Sequence, residues 1–454
     1  MTAPGHSPRV QDNAPGHRDR GAQEGETAMR RRLPRLIAAA AIALLWGAAP
    51  ALATNGYFAA GYGMIENGRG GVGIATTDDA MGGANNPATM AFAPAETDLG
   101  FYLFMPSRSA SRSGNAYGLN GSAGSGANDF VIPELGVNVP LGPRWNVGLT
   151  IYGNGGMNTT YPGGQIPAGF CGKGAPAANL LCGVGPLGVD LTQVVIAPTL
   201  AFKATPRLSL GIAPLFAVQH FAAQGLQAFA GVSSAPTDLT NRSYDNSYGG
   251  GVRVGLLYRA TPTLNLGLTY QTRIYMTNLS RYAGLFAGAG GFDIPAQFGA
   301  GLAWQVTPTV QLAMDYERIF YSTIPAVADS STVPNALGTS NGRGFGWRDI
   351  NVFRFGVDWR VLPSLTLRAG YNHGGNPVNS ADVTFNILAP GIVTDQASVG
   401  FSWVVAPGWT VNFAYAHAFK RGLSGPTNPL VPGGGTDHVT LEEDEVGFGI
   451  AVAL

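Results

Sequence analysis

Six histidines and two cysteines are the side chains of this 454-residue chain best suited to acid–base or nucleophilic chemistry. A hydrolase in a barrel wall would need a serine held beside a histidine, and a nucleophile elbow would show as G-x-S-x-G. No such elbow occurs in a suitable context, and four histidines are scattered along the chain, at His220, His373, His417 and His438. The sequence therefore predicts a protein that is not an enzyme.

A glycine-rich stretch, Gly68–Gly73 (GRGGVG), matches the dinucleotide-binding pattern G-x-G-x-x-G. A nucleotide site also needs a preceding strand and an acidic residue about 20 positions later, and the sequence offers neither. We interpret these glycines as tight turns and close packing. No cofactor is predicted, and no metal site, because the two cysteines supply too few ligands.

Cys171 and Cys182 lie in one Gly/Pro-rich loop. In an oxidising compartment they are predicted to form a disulfide, with two free thiols as the alternative. Closing so short a loop stabilises the fold by about 3 kcal/mol at most in a chain-entropy estimate.

The composition is rich in glycine and poor in charge. Glycine accounts for 66 residues, charged residues for 12%, and the 27 basic and 27 acidic side chains cancel. Soluble proteins carry about 25% charged residues. A neutral chain has no electrostatic footprint for nucleic acid. Beyond the N-terminus, no uncharged apolar run reaches the roughly 18–20 residues of a membrane-spanning helix. These features together favour β-structure in an unusual solvent.

The N-terminus reads as an export signal. Residues 29–53 contain a cluster of arginines, a short apolar run and the A-x-A cleavage pattern Ala51-Leu52-Ala53. Residues 1–28 are interpreted as an extension upstream of the true start. The mature chain is then predicted to begin at Thr54 and to leave the cytoplasm.

A short turn with proline recurs six times between runs that alternate apolar and polar residues. Its prolines are Pro143, Pro206, Pro262, Pro308, Pro363 and Pro407. Aromatic or large apolar residues flank these turns at fixed spacing, as in the interfacial girdle of an outer-membrane barrel. The short turns alternate with long glycine-rich loops, which is the hairpin pattern of the same class.

Counting the runs gives the predicted fold. The six turns join strand pairs at about 129–153, 190–220, 243–280, 292–320, 349–375 and 392–420. Two further strands are predicted near 97–107 and 440–454. We therefore predict an all-β fold, a 14-stranded antiparallel transmembrane β-barrel over residues 97–454, in the bacterial outer membrane with both termini on the periplasmic side.

Charged residues within the runs fall on the face opposite the large apolar side chains. They are Arg253, Arg273, Asp315, Glu317, Arg354, Asp358 and Arg368. A charge facing lipid at mid-membrane costs about 2–4 kcal/mol, so this face is predicted to line the lumen. The acidic run Glu442–Glu445 is placed at the outer end of the last strand, as a solvated rim. Divalent-ion bridges to lipopolysaccharide are the alternative for that run.

Residues 54–96 do not alternate, and their position before the first strand predicts a small plug inside the barrel. Four pieces of this segment, NGYFAAGYG, GRGGVG, Asp78-Asp79-Ala80 and GANNPATMAF, resemble the N-terminal hatch of the FadL family. Those proteins are outer-membrane transporters of long-chain fatty acids and other hydrophobic compounds. Residues 150–164 are similar to the family's segment after the third strand. The resemblance covers essentially all of 54–454, with Leu454 in place of the usual terminal aromatic residue.

The resemblance implies a gate and a function. The hatch motif Asn86-Pro87-Ala88 would lie against an inward kink of the third strand, near Thr150 to Asn158, which opens the wall sideways. The implied function is passive uptake of long-chain fatty acids or other hydrophobic molecules. We expect a monomer that contacts outer-membrane lipid and lipopolysaccharide. A general porin for small hydrophilic solutes is the alternative function.

Ligand contacts are expected at the N-terminus, in the apolar loop 161–189 and at lumen arginines. The predicted substrate-binding residues are Tyr57, Phe58, Phe170, Leu180, Leu181, Arg253 and Arg368. A large apolar area on a cell surface usually marks a binding groove. The alternatives are a loop that only folds over the barrel mouth, and arginines that are only solvated or paired.

Overall fold

The computed structural model describes residues 55–454. The predicted upstream extension (1–28) and signal peptide (29–53) lie outside the described residues, as does Thr54. Within the described part, fourteen antiparallel strands close into a barrel, because the first strand pairs with the last. The predicted fold class is confirmed.

The barrel strands are numbered here in chain order. They are β1 Glu96–Ser113, β2 Phe130–Pro140, β3 Trp145–Asn158, β4 Gly188–Lys203, β5 Leu208–Gln224, β6 Asp245–Thr261, β7 Leu264–Gln271, β8 Gln297–Thr307, β9 Val310–Ile319, β10 Ile350–Leu362, β11 Leu365–Gly374, β12 Asp395–Ala406, β13 Trp409–Pro426 and β14 Thr436–Ala453. Two short strands, Gly121–Gly124 and Tyr275–Met276, pair with β1 and β6 outside the main ladder.

Short helices occur only in the connections and in the N-terminal segment, as far as residues 55–454 show. The N-terminal ones are α1 Met64–Gly68 and the 3₁₀ turns Met81–Gly83 and Pro87–Ala91. The others are Gln227–Val232, Pro236–Asp238, Ser280–Tyr282, Ala287–Gly290, Tyr321–Thr323, Pro325–Ala328, Ser380–Asp382 and Val383–Asn386. None of the described helices is long and apolar enough to cross a membrane.

Alternation along the strands produces the two faces of the wall. In β7, Leu266, Leu268 and Tyr270 point outward and are exposed, whereas Gly267 between them faces the lumen. Successive side chains of a strand lie on opposite faces, so every second residue meets lipid. An outward row of exposed tryptophans stands close to the proline turns, at Trp304, Trp359 and Trp403.

The six proline turns connect the strands as predicted, and only the strand ends differ. The largest difference is in β7, which ends at Gln271 rather than near residue 280. The pairing of β13 with β14 continues to Pro426 and Thr436. The acidic run Glu442–Glu445 therefore lies inside β14, so its predicted place on a solvated rim is wrong. Glu443 and Glu445 face inward and are buried. Glu442 and Asp444 lie on the opposite, outward face, where Tyr415 Oη donates to Asp444 at 2.7 Å. Four consecutive acidic residues carry no alternation, so the sequence does not show which of them face the lumen.

Residues 55–94, called the N-terminal segment below, pack against the inner face of the strands. Inward glycines bring the two into backbone contact. A Cβ on Gly267 would lie 2.3 Å from the Ile74 carbonyl oxygen, and one on Gly370 would lie 2.0 Å from the Arg69 carbonyl carbon. Because real Cβ contacts are never so short, any larger residue there would push the segment off the wall. The glycine-rich inner face is thus shaped to the segment that it contacts.

Candidate functional site

Backbone pairing between β2 and β3 is incomplete, and this interruption is the main irregularity of the described wall. The two strands pair only from Leu135–Ile151 to Pro140–Asn146. Beyond that point Phe130–Glu134 pair with β1, and Tyr152–Asn158 pair with β4. We call the unpaired boundary between Phe130–Glu134 and Tyr152–Asn158 the seam. It lies within the 150–158 region where the resemblance implied a kink.

A β-bulge in β3 accompanies the seam. The register between β3 and β4 shifts between Gly153 and Gly155, which leaves Asn154 as an extra residue. A bulge bends its strand and re-aims the neighbouring side chains. The Asn154 side chain is fully buried and donates a hydrogen bond to Gln193 Oε1 at 2.9 Å. The bend is therefore held from the inside by polar contacts.

The start of the N-terminal segment covers the inner side of this bulge. Gly156 N donates to the Tyr57 carbonyl oxygen at 3.1 Å, and Phe58 forms an isolated bridge with Gly155. Tyr62 Oη donates to the Asn154 carbonyl at 3.0 Å, and its ring lies 4.5 Å from the Tyr152 ring, tilted by 55°. The segment and the seam thus share one continuous interface.

Five aromatic rings gather behind this interface. The ring of Tyr57 lies 5.0 Å from that of Phe58, 5.4 Å from Tyr321, 5.9 Å from Trp347 and 6.2 Å from Phe292. All five side chains are almost completely buried. Tyr57 and Phe58 were predicted to contact substrate. The structure places them in this cluster, between the seam and the loops.

A small cavity of about 30 Å³, called the inner cavity, adjoins the seam. Its lining comes from the N-terminal segment (Gly56), β1 (Phe104, Arg108), β3 (Gly156, Met157, Asn158), two loops (Trp347, Ala389–Gly391) and β14 (Leu441, Glu443). Small-molecule sites usually enclose about 300–1,000 Å³ and have mostly apolar walls with a few polar groups. The inner cavity has such walls but is smaller, so a molecule the size of a single aromatic ring fits only when its lining moves.

A second small cavity, of about 30 Å³, lies among the long loops and is called the outer cavity. Its walls are almost wholly apolar and include Leu181, Val189, Phe229, Phe286, Phe385 and Leu388. The two cavities are neighbours along the chain. Leu388 lines the outer cavity and Ala389 the inner one. Likewise, Phe345 lines the outer cavity and Trp347 the inner one. Short loop pieces therefore separate two spaces that suit apolar molecules.

Arg69 anchors the N-terminal segment to the wall. Its buried guanidinium is paired with Asp78 at 2.5 Å, Asp358 of β10 at 2.8 Å and Glu66 at 3.1 Å. Asp358 also pairs with Arg368 at 3.1 Å. Burial alone would lower the pKa of Arg69, but the carboxylates of Asp358, Asp78 and Glu66 outweigh it and raise that pKa. The cation therefore remains charged where it holds the segment.

Asn86 makes a second anchor, on β5 and β6. Its amide donates to the carbonyls of Ile74 at 2.7 Å and Leu256 at 3.2 Å, and its oxygen accepts from Ala88 N at 3.1 Å. Ser209 of β5 donates to the Ala88 carbonyl at 2.8 Å. The resemblance implied that Asn86-Pro87-Ala88 lies against the kinked strand. In the structure the residues that contact the bulge are Tyr57, Phe58 and Tyr62 instead.

The predicted lumen arginines are engaged by protein groups. Arg253 donates to Gln271 at 2.5 Å, and Arg368 is held by Asp358 and by Ser402 at 2.6 Å. Arg253 lines a separate cavity of about 20 Å³ against Tyr62 and Asn85. Neither arginine lines the inner or the outer cavity, because each faces the N-terminal segment on the β6–β12 side of the barrel. The alternative interpretation, a paired lumen charge, describes Arg368 better, whereas the side chain of Arg253 bonds only to the neutral Gln271 among the described residues.

The loop 161–189 contributes less than its composition suggested. Leu181 lines the outer cavity, whereas Leu180 is buried beside it and Phe170 is exposed, against Gly118. The structure joins Cys171 and Cys182 in a disulfide, with their Cα atoms 5.5 Å apart. The prediction that Phe170 contacts substrate is therefore wrong for these two cavities. Phe170 lies next to the disulfide, and its side chain is exposed.

Several cavity residues were missed by the sequence reasoning. They include Arg108, Phe229, Trp347, Phe385, Leu388 and Glu443. Most come from separate loops, and no periodicity links residues that meet only after the barrel closes. For Arg108 and Glu443 the sequence shows a charge on a strand but not its face, since Glu442 and Asp444 of the same strand as Glu443 face outward.

The outer cavity yields a direct test with a matched control. Replacing Leu181→Asn keeps the side-chain size but adds an amide that must lose water when an apolar ligand enters, at about 1–3 kcal/mol. We expect the dissociation constant of a fluorescent naphthylamine probe to rise by roughly tenfold. Phe170→Asn, on the same loop but outside the cavity, should leave it unchanged. Equal effects from both variants would contradict this assignment.

The closed barrel, its outward apolar belt and its two apolar cavities define an outer-membrane transport channel. The chain belongs to the outer membrane protein transport protein family (OMPP1/FadL/TodX), whose profile matches residues 46–428. Members of this family are outer-membrane transporters of hydrophobic compounds and not enzymes. The chain is thus an outer-membrane protein of that class.

Solved structures with the same fold differ widely from this chain in sequence. The Pseudomonas putida toluene transporter TodX is 17% identical, with a TM-score of 0.64, and the match covers 87% of this chain and 99% of TodX. A Pseudomonas aeruginosa FadL homologue is 16% identical, with a TM-score of 0.65 and coverages of 88% and 99%. The Ralstonia pickettii toluene transporter TbuX is 18% identical, with a TM-score of 0.60 and coverages of 87% and 99%. No curated protein matches the sequence significantly.

Proposed function

We propose that this protein takes up hydrophobic molecules passively and releases them sideways through the seam into the outer membrane. Long-chain fatty acids and small hydrocarbons are the two candidate substrate groups. The observation that carries the proposal is the bulged stretch of β3 that pairs with β4 but not with β2. The N-terminal segment covers this stretch from inside.

Entry starts in the outer cavity. Each methylene removed from water contributes about 0.8 kcal/mol, so an apolar molecule gains enough there to leave the aqueous phase. The inner cavity is the next space on the path, since Phe345–Trp347 and Leu388–Ala389 border both. A molecule that moves between them stays in contact with apolar walls throughout.

Release requires the N-terminal segment to move. Gly56 lines the inner cavity, and Tyr57 and Phe58 hold the bulge, so both contacts belong to one short piece of chain. A ligand filling the inner cavity presses on Gly56 and favours the state in which Tyr57 leaves the bulge. A ligand shifts such an equilibrium only by its differential affinity for the two states.

The remaining lumen stays closed in this proposal, which is why the segment acts as a hatch. Arg69 and Asn86 hold residues 66–91 against β5, β6 and β10 while residues 55–58 move. One chain contains both cavities, the seam and the hatch, so a monomer suffices. A general porin would instead need a path past these anchors.

Removing the bulge tests this route. Deletion of Asn154 restores regular pairing of β3 with β4, and we expect it to let β3 pair with β2 and close the seam. Uptake of radiolabelled toluene, and separately of labelled palmitate, would be measured in cells that lack other transporters of this family. We expect uptake to fall to the level of cells without the protein.

The matched control is Asn154→Ala, which keeps the bulge and removes only the side-chain hydrogen bonds with Gln193 and Tyr62. Surface exposure and heat-modifiable migration would confirm that both variants fold. Uptake retained by the alanine variant and lost in the deletion supports a sideways exit. A folded deletion variant that transports at the wild-type rate would contradict it.

A further inference from the structure

Two charged side chains at one end of the inner cavity have unused hydrogen-bonding atoms. Glu443 of β14 and Arg108 of β1 both line the cavity, and both are more than nine-tenths buried, at 2% and 8% exposure. Among residues 55–454, neither carboxyl oxygen of Glu443 has a hydrogen-bond partner. The Nε of Arg108 has none either. The other two nitrogens of Arg108 donate to the carbonyls of Asn158 and Ala127.

The two groups face one cavity without an ion pair between them. Arg108 forms no salt bridge among the described residues, and Glu443 is the acidic residue that lines its cavity. The pair leaves one free donor and free acceptor atoms, and unpaired buried groups of this kind cost about 1–3 kcal/mol each.

We propose that Arg108 and Glu443 form a polar subsite that selects hydrophobic molecules carrying one neutral hydroxyl group. A hydroxyl accepts from Arg108 Nε and donates to a Glu443 oxygen, so it satisfies both groups at once. The carboxyl retains an acceptor oxygen in either protonation state. The rest of the ligand would lie against Phe104, Met157 and Trp347.

Two other ligand classes fit less well. The parent hydrocarbon fills the apolar part of the inner cavity but leaves Arg108 and Glu443 unpaired. Leaving buried hydrogen-bonding groups unpaired weakens binding strongly. A carboxylate has no proton to donate to the Glu443 oxygens, and it must lose its hydration on entering a mostly apolar space. The expected order of affinity is therefore alcohol, then hydrocarbon, then carboxylate. This inference rests on the proposed function, because it assigns the inner cavity to the transported molecule.

Three molecules with one carbon skeleton test the order. Dissociation constants of benzyl alcohol, toluene and benzoate would be measured by calorimetry on the purified full chain, with detergent-only titrations subtracted. We expect benzyl alcohol to bind about tenfold more tightly than toluene, the ratio that one good hydrogen bond provides. We expect Glu443→Leu to abolish that ratio while toluene binding persists, and Glu443→Gln to improve benzoate binding.

Glu445→Leu is the matched control. Glu445 is a buried inward carboxyl two residues away that does not line the inner cavity, so its loss should leave the ratio unchanged. Benzoate as the tightest ligand, equal binding of toluene and benzyl alcohol, or a ratio unaffected by Glu443→Leu would each overturn the subsite. Absence of toluene uptake by wild-type cells would instead count against the proposed function itself.

Discussion

Replacing Arg69→Met should release the N-terminal segment from the barrel wall. The substitution leaves Asp358, Glu66 and Asp78 without their shared cation, and breaking a buried ion pair costs about 3–5 kcal/mol. We expect the amides of Gly70 and Gly71 to exchange with solvent much faster. We also expect cells with this variant to become sensitive to a hydrophilic antibiotic, because the lumen opens.

An exposed arginine provides the comparison for this experiment. Arg348 lies on the surface and donates only to the Asn376 carbonyl at 3.4 Å. Arg348→Met should leave both hydrogen exchange and antibiotic sensitivity at wild-type values. If Arg69→Met folds, keeps slow exchange at Gly70 and admits no antibiotic, the anchoring role of Arg69 is wrong.

Replacing Gly155→Ala should displace Tyr57 from the bulge. A Cβ at this position would lie 1.8 Å from the Tyr57 carbonyl oxygen, a backbone atom that cannot rotate away. Overpacking of this kind costs roughly 1–3 kcal/mol, and the segment relieves it by moving. Each 1.4 kcal/mol changes a population about tenfold, so we expect faster uptake of toluene, by roughly fivefold to a hundredfold.

The direct physical readout is the Gly156 amide, which donates to Tyr57 in the wild type. Its hydrogen exchange should accelerate in Gly155→Ala. The control is Gly250→Ala on β6, where a Cβ meets only the Leu215 carbonyl at an ordinary 3.7 Å. An exposed Gly156 amide with unchanged uptake would show that this contact does not limit release.

The barrel was predictable because each of its causes is local. Proline fixes a tight turn, as at Pro262 and Pro308, and the flanking residues must alternate to separate lipid from lumen. The predicted strand ends are wrong where no local signal in the sequence marks the membrane surface. Glu442–Glu445 show this, since four consecutive acidic residues give no alternation that would distinguish a solvated rim from a lumen wall.

The site was only partly predictable, because its residues meet through the closed barrel. Tyr57 was chosen for its place near the mature N-terminus, and the structure sets it against the bulge. Arg253 and Arg368 are predicted from their charge alone. Charge does not reveal a partner, and Arg368 has one in Asp358 on the neighbouring strand β10. Trp347 and Leu388 belong to distant loops, and no spacing in the sequence relates them to each other.

The central claim is that apolar molecules leave through the wall while the lumen stays closed. Its most direct measurement records single-channel conductance of the purified wild-type protein in planar bilayers, together with uptake of labelled toluene by cells that carry it. We predict clear uptake without a stable open-channel current. A stable, porin-like current at the same protein concentrations would contradict the claim and indicate a path through the lumen.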